Sequence, residues 1–193
     1  MFGLQLAAQN ISVGQILIAT PDLDDPSFAK TVILLIYVER DAVVGLMLNR
    51  PVDHKVSEIL PGAKSGKESA WLGGVVPVGV FALAGGSTAP EGGTKLLPGV
   101  FLVTDRKQLE RLEPAPNLRI YAGNCGWTLP QLRNEMRIGA WRLAPGSADA
   151  VFDKQPATLW DRLVSSEFVR GAIELAAQKG ARRQVRPTPE PLL

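Results

Sequence analysis

The stretch GQILIATPDLDDPSFAKTVILLIYVERDAVVGLMLNRP, from Gly14 to Pro51, decides the fold. Its apolar runs Gln15 to Ala19, Thr31 to Val38 and Val43 to Met47 are short, and the second is rich in β-branched residues, which predicts three strands around an acidic turn. Asp25-Pro26 is a helix-start signal, because Asp accepts from the orphan amides of a first turn and Pro tolerates the first helical position. Pro26 to Lys30 is therefore expected to form one helical turn linking two strands. The third strand closes on Asn49-Arg50-Pro51.

Beyond Pro51, Val56, Ile59 and Leu60 recur at helical spacing before Pro61-Gly62, so Asp53 to Leu60 reads as a short helix and Lys64 to Ser69 as a polar loop. Ala70 to Leu72 and Val78 to Ala84 read as strands set off by glycines, and Gly85 to Gly93 as an exposed, turn-rich segment. Lys95 to Val103 reads as one more strand, bent or started at Pro98-Gly99. Asp105 and Gln108 have capping-box spacing ahead of a helix to Leu112. Leu118 to Ala122 is a strand that runs into Gly123-Asn124-Cys125-Gly126-Trp127. Thr128 then caps a helix ending at Gly139, with Trp127 and Leu132 placed as a hydrophobic staple. Ala140 to Leu143 is a final strand. Ser147 to Phe152, Thr158 to Val164 and Ser166 to Lys179 read as helices, and the Pro-rich basic segment from Arg182 to Leu193 as a flexible tail.

With 193 residues, 46% of them hydrophobic, the chain can bury one substantial core, and residues 1–180 are expected to form a single domain. A net charge of +2 gives no overall field to attract a polyanion. No apolar run approaches the length of a bilayer span, and the first residues lack the pattern of a signal peptide, so a cytoplasmic protein is expected. Cys125, the one cysteine, excludes an internal disulfide.

Several motifs resemble the bacterial YqgE/AlgH family. Gly14 to Leu23 with Asp25-Pro26 looks like its opening motif and Gly45 to Pro51 like its second. Leu72-Gly73-Gly74 is similar to the third. Tyr121-Ala122-Gly123, Gly126-Trp127, Gln131-Leu132 and Gly139-Ala140-Trp141 resemble the fourth. The match runs from about Ile11 to Leu163. It implies an α+β fold, a mixed and mostly antiparallel sheet curled into a pseudo-barrel with helices packed outside. It also implies a regulator with no catalytic residue set and a small inert residue at position 125. This chain departs from the family at Thr20, where Met is usual, and at Asn124-Cys125, where Tyr-Ala is usual.

For the chemistry, Asp22, Asp24 and Asp25 invite a metal, yet the further ligands of a Ca²⁺ loop are missing and a cap explains Asp25. Cys125 with His54 as base would be nucleophilic; a buried thiol is the simpler reading. Gly62, Gly66 and Lys67 fail the phosphate-loop spacing. Asn49 and Arg50 can grip an anion, or else satisfy neighbouring backbone and pair with an Asp of the turn. Arg133 and Arg137, with Arg182, Arg183 and Arg186 of the tail, spell no helix-turn-helix. The reading that follows is a non-enzymatic regulator without cofactor or metal, acting through a protein partner or small ligand. Its surface is expected at Asp22, Asp25, Asn49, Arg50, Gly73, Gly74, Gly126 and Trp127. The rivals are a hydrolase with its pocket near Asp22, Asn49 and Cys125, and a direct DNA-binding regulator.

Overall fold

The computed structural model describes residues 10–166. The expected helix from Ser166 and the basic tail lie essentially outside that span. In chain order the elements are β1 (Gln15–Ala19), β2 (Val32–Val38), β3 (Val43–Met47), β4 (Pro51–Lys55), α1 (Val56–Ile59), β5 (Ser69–Leu72), β6 (Val76–Gly85), β7 (Thr94–Leu97), β8 (Val100–Val103), α2 (Arg106–Arg111), β9 (Leu118–Trp127), α3 (Leu129–Arg137), β10 (Trp141–Pro145) and α4 (Ala148–Val151). A further helix begins at 156 and is followed through 166.

The sheet runs β10-β1-β2-β3-β9-β6-β8-β7, antiparallel throughout that path. One parallel pairing, Trp71 of β5 against Tyr121 of β9, makes it mixed. It curls, because Gly146 donates to the Gly14 carbonyl at 3.0 Å while a Cβ at Gly14 would stand 2.8 Å from the Leu96 carbonyl oxygen. The start of β1 thus meets β7, from the far end of the strand order. The result is a pseudo-barrel with the helices outside.

Curling explains why β1 and β2 are runs of buried residues rather than alternating ones: one face lines the interior and the other lies under covering segments. Ile16, Leu17, Ile33, Leu34, Leu35 and Leu46 are almost wholly buried, each contributing about 1.5–3 kcal/mol relative to exposure. A second cluster, built on Val56, Leu60, Ala82, Leu109 and Ile120, seats α1 and α2. Asp105 and Thr128 cap α2 and α3 as their spacing predicts, accepting from the amides of Gln108 and Gln131.

Two expectations are corrected. Asp53 to Lys55 belong to β4, not to a helix, because Pro51 and Lys55 pair with Trp71 and Ser69. The helix is only the four residues after them, started by the Glu58 carboxylate accepting from the Lys55 amide at 2.7 Å. Lys95 to Val103 is a hairpin of two strands, with Pro98-Gly99 as its turn and Gly99 at φ 77°.

Candidate functional site

The acidic turn between β1 and β2 is held from beneath by the end of β3. Asn49 is buried; its side-chain oxygen accepts from the Val32 amide at 3.0 Å and its amide nitrogen donates to the Lys30 carbonyl at 2.8 Å. Arg50 donates to the Ala29 carbonyl at 2.7 Å. The pairing of Arg50 with an Asp of the turn is therefore corrected: backbone is what it holds, and one bond leaves most of its five N–H donors for other partners. Asp25 folds the turn, its carboxylate accepting from Ser27 and its carbonyl from Phe28 and Ala29. Asp22 and Asp24 are exposed, and among the described residues no three acidic, His or Cys side chains are grouped to hold a metal.

Gly73 and Gly74 cross β9 at backbone contact. A Cβ on Gly73 would fall 2.0 Å from the Gly123 carbonyl oxygen, and one on Gly74 would fall 2.2 Å from the Asn124 carbonyl carbon. The crossing is tied by Gly73 donating to Ala122 and Met47 donating to Gly73. Cys125 lies beneath it, within β9 and not at a helix start, with Sγ 3.5 Å from the Gly73 carbonyl. Burial pushes its thiol up to about 12, which makes it a poor nucleophile. Gly126 is different, since a Cβ there would meet nothing closer than 3.9 Å.

Trp127 is a core residue rather than a stacking platform. Its ring packs 6.1 Å from Phe28 of the acidic turn and 6.0 Å from Trp141, edge-on to the latter. The carboxylate of Glu135 accepts from both indoles, at 3.0 Å from Trp127 and 2.8 Å from Trp141, and from Gln131 at 2.9 Å. Neither this role of Glu135 nor that of Arg119 was visible in the sequence. Arg119 is buried, donates to the carbonyls of Leu48 and Asp153, and stacks 3.9 Å from the Trp71 ring centre.

Two open cavities among the described residues adjoin these elements. The first, about 310 Å³, is lined by Lys30, Asn49, Arg50, Pro51, Ala157, Trp160 and Asp161. Trp160 is buried, its indole N–H given to the Ala19 carbonyl at 2.7 Å, and the Lys30 ammonium sits 5.5 Å from its ring centre. Lys30 holds a left-handed backbone, φ 56°, fixed there by the Asn49 bond to its carbonyl. Among the described residues the ion pairs join His54 with Glu58, Lys64 with Glu113, Arg106 with Glu110, Arg111 with Glu91 and Arg162 with Asp153, so Lys30, Arg50 and Asp161 have none. The second cavity, about 540 Å³, is a groove lined by the apolar Leu72, Pro77, Val80 and Leu109 together with Thr104 and Arg106, and the exposed Val75, Val76 and Val78 lie next to its lining residues in sequence.

The expected site residues thus divide. Asn49 and Arg50 line the first cavity and Gly74 the second, whereas Asp22, Asp25, Gly73, Gly126 and Trp127 line neither, nor does the Cys125 of the hydrolase reading.

A mixed sheet curled into a half-barrel, with one close glycine crossing over β9, defines an α+β class with few helices. The chain belongs to the AlgH-like family, whose model matches residues 16–170. It is 32% identical over 160 residues to a UPF0301 protein of Chlorobaculum tepidum, covering 80% of this chain and 86% of that protein. A UPF0301 protein of Myxococcus xanthus is 33% identical over 162 residues, with 79% and 88% covered. The solution structure of AlgH from Pseudomonas aeruginosa shares the fold at a TM-score of 0.63 and 23% identity, covering 92% of this chain and 95% of that one. A crystal structure of a Corynebacterium diphtheriae protein does so at 0.65 and 22%, covering 80% and 86%. No helix among the described residues is long and apolar enough to cross a membrane.

Proposed function

We propose that this family member is a non-catalytic, cytoplasmic binding protein, a regulator that responds to a small anion taken up beside the end of β3. The observation that carries the reading is the convergence of Lys30 and Arg50, two cations without carboxylate partners among the described residues, on one cavity floored by Trp160. A charge-assisted hydrogen bond contributes about 1.5–3 kcal/mol, so two such donors contribute about 3–6 kcal/mol toward holding an anion. Asn49 does not reach for the ligand; it fixes the backbone of Lys30, which aims the ammonium.

The hydrolase alternative draws no support from the placement of its residues. Asp22 is exposed on the turn and Cys125 is buried under the glycine crossing, and neither lines the cavity that Asn49 lines. A protein partner with an aliphatic segment is favoured at the second cavity, because Val75 and Val78, 50% and 68% exposed, adjoin its lining residues Gly74, Pro77 and Gly79 in sequence.

Thermal unfolding in inorganic phosphate against sodium chloride of equal ionic strength tests the anion reading. At a hundredfold excess over Kd, phosphate is expected to add about 2.7 kcal/mol of stability. Lys30→Asn, which suits the left-handed backbone while removing the charge, is expected to erase most of that gain. Equal melting in the two salts would remove the reading.

A further inference from the structure

We infer, resting on the anion reading just given, that the ligand is bipolar: a small phosphomonoester carrying an amine. The anionic head is set by Lys30 and Arg50, because a planar guanidinium fork beside an ammonium suits the several oxygens of a phosphoryl group. The tail is set by Asp161. It stands one helical turn after Ala157, at i+4 spacing on the same face, and next in sequence to Trp160, and all three line the cavity.

Charge fixes the class. Two cations and one carboxylate leave the walls with one positive charge. A phosphomonoester of charge about −2 with an ammonium leaves the ligand with about one negative charge, the complement of the walls. A head without a tail meets the Asp161 carboxylate as a like charge, which weakens binding. An ammonium turns that same carboxylate into a partner. The cavity, about 310 Å³, has room for both ends.

Isothermal titration of the full chain with O-phosphoethanolamine, ethyl phosphate and L-glutamate, repeated on Asp161→Asn, tests the assignment. In the wild type, O-phosphoethanolamine is expected to bind about tenfold tighter than ethyl phosphate, the equivalent of about 1.4 kcal/mol. Asp161→Asn is expected to weaken O-phosphoethanolamine and strengthen ethyl phosphate, closing that gap. Equal binding of the two phosphates by the wild type overturns the amine while leaving the anion reading standing. Tighter binding of L-glutamate than of O-phosphoethanolamine overturns the phosphoryl head. Failure of every probe to bind the wild type removes the anion reading and this inference with it.

Discussion

Glu135 shows how one side chain can serve several distant parts of the chain. Its carboxylate satisfies the indoles of Trp127 and Trp141, and those rings pack on Phe28 of the acidic turn. Glu135→Ala leaves two indole N–H groups without their acceptor, at a cost of about 1–3 kcal/mol each. A fall of about 2–6 kcal/mol in urea unfolding is expected, with an unchanged m-value. Cys125 and Tyr121 make a second residue-level prediction. Burial raises the thiol from 9.0 to about 12, and the phenol from 10.0 to about 12 against the opposing pull of the Arg119 guanidinium. Both groups are raised acids, so the unfolded chain ionises first. The stability they hold is intact below pH 9 and is lost as pH rises from about 9 to 12, by up to about 1.4 kcal/mol per pH unit for each group. Equilibrium unfolding across that range is expected to show the loss, and Tyr121→Phe to reduce it.

At the scale of elements, the β5–β6 crossing over β9 is the most constrained joint. Gly73→Ala and Gly74→Ala each drive a methyl into backbone at 2.0 and 2.2 Å, so each is expected to cost about 3 kcal/mol or more. Gly126→Ala, with nothing nearer than 3.9 Å, is expected to leave thermal unfolding within about 2 °C, because a surface change of this kind is worth at most about 0.5 kcal/mol. The glycine pair was legible as punctuation, and its reason was not. Read alone, Gly73-Gly74 asks for a turn of positive φ; its neighbour across the sheet, Gly123, is the one with φ 72°. Close approach involves residues some fifty positions apart, as Gly73 and Gly123 are, and no local pattern contains it. Caps were legible for the opposite reason, since Asp105 and Thr128 act within three residues of themselves. Asp53 to Lys55 misled because their pairing partner, Ser69 to Trp71, lies beyond a loop.

For the whole molecule, the strands were legible because apolar runs and turns are local, whereas the curled sheet was only what the resemblance carried by the motifs implied. The cavity beside β3 was half legible. Asn49 and Arg50 stood out as a motif, while Lys30 read as the end of a turn, and Trp160 and Asp161 read as one more amphipathic helix. The bonds from Asn49 to Val32 and Lys30 across the sheet, and from Trp160 to the Ala19 carbonyl, bring them together. With a net charge of +2, duplex DNA is expected to bind weakly, without sequence preference, and to be released by moderate salt in an anisotropy titration. Tight, sequence-dependent binding would instead make the protein a direct regulator of DNA. The most direct test of the anion site is a two-dimensional NMR titration of the ¹⁵N-labelled chain with inorganic phosphate. Saturable shifts confined to Lys30, Val32, Asn49, Arg50, Asp161 and the Trp160 indole are predicted. Shifts that never saturate, or that centre on Leu72 to Val80, would contradict the account.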